Sequence, residues 1–223
     1  MDATKAINGW RSIRKYKQDH IPEEILRKVL DAGRRSPSWE NVQPWHFIVI
    51  QDDAVKEKLV RLASGQKHIA QAPVVIAVCG DLSAWDKPKN REALVELVNA
   101  GVINVPQEVI DSVLLKDPVF CVAEHGPAII LGRTLEQLGI AYGFMAIEAV
   151  NQGLGMCIVG AFGNEVTESY KELYQEIRGL LAIPETMYLL ALLTLGFPDE
   201  DPSARPRKTF DAVVSRGKVG RPW

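Results

Sequence analysis

The 223-residue sequence predicts one α+β domain. Three observations predict it. Segments with helical and with strand-like apolar spacing interleave, but without the regular strand–helix–strand rhythm of a doubly wound sheet. Residues 128–152 carry almost no charge after Glu136 and space their apolar side chains as a long buried helix does. No repeat, low-complexity tract or linker composition divides the chain, so residues 1–223 read as a single unit.

Taken in order, Asp2 to Trp10 reads as a first helix. A second covers Pro22 to Arg34, where proline followed by Glu23 and Glu24 suits a helix start, and Ser36-Pro37-Ser38 ends it. Trp45 to Ile50 is a strand, Asp53 to Ala63 a helix, and the apolar run after Ala72-Pro73 a second strand reaching Cys79. Between residues 81 and 119, Gly and Pro interrupt a helical spacing, which predicts an irregular helical excursion. The long helix follows, buried nearly all round and ended by Gly153 and Gly155. A short strand at Met156 to Val159, a surface helix at 165–178 and a strand at Met187 to Gly196 complete the core. Residues 197–223 form a proline-rich, charged tail.

Composition excludes several classes of partner. A net charge of -2 and a pI near 6.1 provide no general field for nucleic acid or anionic membrane. The apolar runs at 73–78 and 188–193 fall well short of the ~20 residues that cross a bilayer. MDATKAINGWRSIRKYK lacks the apolar core of a secretory signal, so a cytoplasmic location is expected. Cys79, Cys121 and Cys157 are widely separated and form no CxxC pair; they read as inert, mostly buried thiols. No metal site is expected. His20, His46, His68 and His125 are scattered without an acidic or serine partner, so none is assigned to catalysis.

Four segments carry chemistry. Arg11-Ser12-Ile13-Arg14-Lys15 sets two guanidinium forks around a hydroxyl, a workable anion cradle, although a solvated helix end reads the same way. Ser36 to Trp45 places Asn and Gln amides beside two indoles on a loop stiffened by two prolines; the alternative is a capping loop with a core tryptophan. Gly153 to Gly163 holds four glycines in eleven residues, letting backbone approach a flat ligand. Its GxG follows a helix rather than a strand, which disfavours a dinucleotide-binding fingerprint. Arg205, Arg207 and Lys208, braced by Pro202 and Pro206, could grip a phosphate or merely be a solvated tail.

In this order, RSIRKY, SPSWENVQPWHFIVI, QAPVVIAV, GLGMCIVGAF and LGFPDEDPSARPRK resemble the FMN-dependent nitroreductase family across nearly the whole chain. The SPSxxNxQPW stretch is the most specific of them. The resemblance implies a central mixed or antiparallel sheet flanked by helices and an intertwined homodimer whose C-terminal tail extends onto the partner. It implies two FMN sites at the subunit interface. By position, Arg11, Ser12 and Arg14 face the flavin's phosphate, ribityl and pyrimidine parts, while Pro37, Ser38 and Asn41 pack on the ring from the partner subunit, with Gln43 a weaker match. Gly160 and Ala161 bring backbone N–H groups near flavin N5, Arg205 and Arg207 hold the phosphate, and Gln66 approaches the flavin edge. One departure matters: the family usually has arginine where this chain has Trp10, so part of the phosphate grip must come from elsewhere.

The chemistry implied is the flavin's own. No catalytic acid is expected from the protein; Arg14 is expected near N1 and O2, stabilising the reduced ring. The leading expectation is a ping-pong reductase that takes electrons from NAD(P)H and passes them to a nitroaromatic, quinone or similar small acceptor. Two others stand beside it: a specialised flavin reaction such as reductive dehalogenation or flavin cleavage, and a non-catalytic flavin-binding protein. Phe120 and the 81–119 excursion are the candidate wall over the flavin, where the family resemblance vanishes.

Overall fold

The computed structural model describes residues 2–160 and 168–223. Its centre is a four-stranded sheet in the order β1-β2-β4-β3, where β1 is Trp45–Ile50, β2 Val74–Asp81, β3 Gly155–Gly160 and β4 Met187–Gly196. All three pairings are antiparallel, so among the described residues the sheet is not mixed.

Alternation along β2 builds two cores. Val75, Ala77 and Cys79 face one layer, with Leu59 and Leu62 of α3 (Asp53–Leu62) and Tyr174 and Ile177 of α8 (Lys171–Leu180). Val74, Ile76 and Val78 face the other, with Val29 of α2 (Glu23–Arg34) and Met145 and Ala149 of α7 (Pro127–Asn151). A strand buried on both faces has no polar side, which is why its sequence is a continuous apolar run. A bulge at Val78/Cys79 lets Leu190 and Ala191 of β4 both face the α7 layer before alternation resumes at Leu192.

Local chemistry sets the helix boundaries. Asp2 caps α1 (Ala3–Gly9), accepting from Thr4 N–H at 2.8 Å, and Asp52 caps α3 through Val55 N–H at 3.0 Å. Glu23 and Glu24 open α2 and Arg34 closes it, in keeping with the macrodipole. After α7, Gly153 takes φ +76° and turns the chain into β3.

Five differences from expectation stand out. Trp10 lies beyond α1, and β2 runs to Asp81 rather than Cys79. A short helix α4 (His68–Gln71) precedes β2, too brief to leave a period in the sequence. The 81–119 excursion is more regular than its Gly and Pro content implied. It contains α5 (Lys87–Asn99) and α6 (Gln107–Ser112) around a small core of Leu94, Ile110 and Leu115, followed by 3₁₀ turns at Leu114–Lys116 and Pro118–Phe120. Finally, α7 is not buried all round: Ile129, Leu135 and Phe144 are each 45–48% exposed. The first part of the expected 165–178 helix lies outside the described residues. The chain closes with α9 (Phe210–Val213) in an exposed tail. Among the described residues, no helix is long and apolar enough to cross a membrane.

Candidate functional site

Residues 11–17 run extended from the end of α1 and stitch together segments far apart in sequence. Ser12 bridges Met156 in parallel, Ile13 N–H donates to Met156 O at 3.1 Å, and Tyr16 bridges Pro198. Lys17 N–H donates to Phe197 O at 2.9 Å and Asp199 N–H to Lys15 O at 3.0 Å. The Glu200 carboxylate then accepts from the backbone N–H groups of Arg14 and Lys15. Two glycines make room: a Cβ on Gly155 would lie 2.7 Å from the Ile13 side chain, and one on Gly196 would lie 2.8 Å from Tyr16.

Tyr16 anchors the segment from below. Its hydroxyl meets Thr194 Oγ1 at 2.6 Å and donates to the Ile13 carbonyl. Burial pushes the phenol well above its ordinary range, only partly opposed by the Thr194 hydrogen bond, so it stays a neutral pin.

This stitching brings the N-terminal cluster and the tail into one pocket of about 60 Å³, lined by Trp10, Arg11, Ser12, Arg14, Pro202, Ser203, Arg205 and Arg207. Five of the residues singled out from sequence therefore share it. Arg11 also donates to the Asn8 and Trp10 carbonyls at the end of α1, so the helix-end reading holds for part of its guanidinium. None of the four arginines pairs with a carboxylate among the described residues. Four guanidinium groups and two hydroxyls thus line one pocket, a donor set whose chemistry suits an anion, although Arg14 also donates to the Ser12 carbonyl and Arg207 to those of Arg205 and Pro206.

Around the pocket lie two groups that sequence reasoning did not assign. His68 is buried, with Nε2 unpartnered; burial depresses its pKa, Arg14 acting the same way and Glu200 opposing. Burial raises the Cys157 thiol, with Arg14 and Arg205 pulling it back. Gln66, on the turn before α4, gives its carbonyl to Ile69 N–H at 3.1 Å and does not line the pocket. Gly160 ends β3, and a Cβ there would meet nothing within 4 Å among the described residues. Ala161 lies outside the described residues.

Pro37, Ser38, Asn41 and Gln43 are not in this pocket either. They belong to a loop with a 3₁₀ turn at Trp39–Asn41, in which Glu40, Asn41 and Gln43 adopt left-handed φ of 48°, 58° and 46°. Side chains from elsewhere hold this costly conformation in place. Gln137 of α7 accepts from Trp39 N–H at 2.9 Å, Arg133 stands 4.9 Å over the Trp39 ring, and Glu40 accepts from Trp39 Nε1 at 2.7 Å. Within the loop, Ser38 Oγ accepts from Gln43 N–H at 3.1 Å. Gln43 faces an open groove of about 580 Å³ between α2 and β1. Neither Gln137 nor Arg133 had a sequence signal, since both sit in an otherwise apolar helical pattern. No cluster of His, Cys, Asp and Glu suited to a metal occurs among the described residues.

Comparison with known proteins places this architecture. The nitroreductase family model matches residues 7–197. An NADH dehydrogenase of Thermus thermophilus is 31% identical over 217 residues, covering 96% of this chain and 95% of its own length. An NAD(P)H-dependent FMN reductase of Bacillus subtilis is 28% identical, covering 95% of this chain and 72% of its own. A protein of Exiguobacterium sibiricum solved in complex with FMN superimposes with a TM-score of 0.76 over 97% of both chains at 23% identity, which speaks for the fold. From the family match across most of its length and from this fold, the chain belongs to the nitroreductase family.

Proposed function

We propose that the chain is an FMN-dependent oxidoreductase that takes electrons from NAD(P)H and passes them to a small acceptor such as a nitroaromatic or quinone. The observation that carries this reading is the quartet Arg11, Arg14, Arg205 and Arg207, gathered around one small pocket with none of the four guanidinium groups in an ion pair among the described residues. The pocket has room for a phosphate group; with the phosphate of FMN held there, the flavin would supply the transfer of reducing equivalents.

The protein's own residues do the holding. Arg205 and Arg207 grip the phosphate with planar forks, and Arg11 and Ser12 take the phosphate and ribityl side. The tail thus supplies the charge missing at Trp10. Arg14 would face the pyrimidine end, where its fixed cation would favour negative charge on the ring. Gly160, which has no side chain, would leave the ring open to a second reactant.

The loop carrying Pro37, Ser38, Asn41 and Gln43 lies outside the arginine pocket of its own chain, which supports a homodimer in which the partner's copy completes the site. The half-exposed Ile129 and Phe144, which fall on the same side of α7, give that association apolar surface. Three buried free thiols suit a reducing cytoplasm.

The purified protein is expected to be yellow and dimeric. Its colour should bleach anaerobically with NADH or NADPH and return on adding a nitroaromatic or quinone, with parallel-line ping-pong kinetics. A colourless monomer that takes up no added FMN would overturn the proposal. Bleaching that no such acceptor reverses points to specialised flavin chemistry, and colour unresponsive to nicotinamide points to a non-catalytic flavin binder.

A further inference from the structure

The 3₁₀ turn at Trp39–Asn41 has no side-chain cap of its own. Ser38 stands at its N-cap in extended conformation, but the Ser38 hydroxyl oxygen accepts from Gln43 N–H instead of from the turn. The Trp39 N–H is met by Gln137 Oε1 at 2.9 Å, from a helix residue 98 positions further along the chain. Gln137 is 3% exposed, and both ends of its amide are engaged, because Nε2 donates to Glu136 Oε2 at 3.1 Å. Turning the amide over would set donor against the Trp39 N–H and oxygen against the carboxylate, so its orientation is fixed.

Glu136 serves a second neighbour. The same Oε2 accepts from Arg133 Nη1 at 2.9 Å and steadies the guanidinium carbon 4.9 Å from the centre of the Trp39 ring. Residues of a single turn of α7 thus grip one loop residue twice, by its backbone and by its indole face. Trp39 in turn donates from Nε1 to Glu40 Oε1 at 2.7 Å, and Glu40 is the first of the loop's left-handed residues. Glu40 and Gln43 are residue types that rarely adopt such φ, so the grip from α7 supplies what the loop's own sequence does not.

We propose that Gln137 and Arg133 are positioning residues for flavin binding: neither touches the flavin, and both hold Trp39 so that Ser38 and Asn41, on either side of it, are presented to the flavin of the second subunit. The role rests on the oxidoreductase reading above, in which the 36–45 loop packs on the partner's flavin. A loop free to leave the left-handed turn is competent to bind only part of the time, and the apparent affinity for FMN falls by that fraction.

Gln137→Met keeps the bulk of the side chain and removes the acceptor for Trp39 N–H. Titration of the apoprotein with FMN should show binding about threefold to tenfold weaker, the equivalent of one lost hydrogen bond. Arg133→Met, at a side chain 39% exposed, should weaken binding about twofold to fivefold, and Arg133→Lys, which keeps a cation over the ring, should recover most of that loss. The visible circular dichroism of the bound flavin should change in both methionine variants and return in Arg133→Lys. Unchanged affinity and dichroism in both methionine variants would overturn the proposal, as would a loss that Arg133→Lys does not recover. If Gln137→Met does not fold, the Arg133 variants decide by the same criteria. A wild type that takes up no FMN overturns the oxidoreductase reading and this role with it. The grip itself is read without flavin, from hydrogen exchange of the Trp39 amide, slow in the wild type and about tenfold faster in Gln137→Met. Equal exchange in the two overturns the grip and leaves the oxidoreductase reading standing.

Discussion

Replacing Glu200 by alanine separates two opposed effects at the anion pocket. The carboxylate accepts the backbone N–H groups of Arg14 and Lys15 and so fixes the cradle to the tail. Hydrogen bonds to a charged group contribute about 1.5–3 kcal/mol each, but Glu200 is half-exposed and water can take over part of the role, leaving about 1–2 kcal/mol for the pair. Against this, the substitution removes a negative charge near the site of a bound phosphate. A phosphate monoester carries close to two negative charges, so at a separation of about one Debye length in a water-like dielectric that repulsion is about 1 kcal/mol, and salt at ~0.15 M screens much of it. Positioning wins: the net loss is about 1 kcal/mol, or roughly fivefold weaker FMN binding. Glu200→Gln, which keeps an acceptor oxygen but not the charge, should lie between wild type and Glu200→Ala. Titration of the apoprotein into FMN, followed by fluorescence quenching and paired with thermal melting, measures both. Should Glu200→Ala bind FMN more tightly than the wild type while melting normally, the carboxylate repels rather than positions, and the reasoning fails.

Two further outcomes follow from packing. Gly155→Ala forces a methyl against Ile13 at 2.7 Å and should destabilise the fold by about 1–3 kcal/mol, read as a lower melting temperature; an unchanged Tm would mean the 11–17 segment is not seated on β3 as described. Cys79, Cys121 and Cys157 are buried, and burial raises all three thiols, Cys79 to about 12. Native protein should resist alkylation near neutral pH and take up three labels only on unfolding, as counted by mass spectrometry; rapid labelling of folded protein would contradict this burial.

How much of this was legible in the sequence differs by element. β1 and β4 were readable to the residue because each is an apolar run punctuated at both ends, Pro44 before one and Gly196-Phe197-Pro198 after the other. The burial of α7 was overestimated, since apolar spacing records that Ile129, Leu135 and Phe144 avoid water without saying whether core or another surface covers them. Within the candidate site, the arginines and Ser12 were legible because cations beside a hydroxyl are a compositional signal. Glu200 and Gln137 were not, because each acts through contacts far away in sequence that leave no periodicity, and His68 was not, because only burial in the folded chain singles it out. The left-handed turn at Glu40 and Asn41 was equally silent: neither residue is glycine, and tertiary contacts enforce the conformation.

The seam along residues 11–17 also bears on how the protein is made. Arg14 and Glu200 are 186 positions apart, and Ile13 must find Met156 before either end of the cradle is fixed. Contacts of such long span form late, after the entropy of closing the intervening loop has been overcome. During vectorial synthesis the first arginines therefore leave the ribosome long before anything exists to receive them. A nascent chain halted short of Phe197 can bury much of its sheet yet lacks the tail half of the pocket, so on the proposed reading a phosphate-bearing ligand waits for synthesis past Arg207.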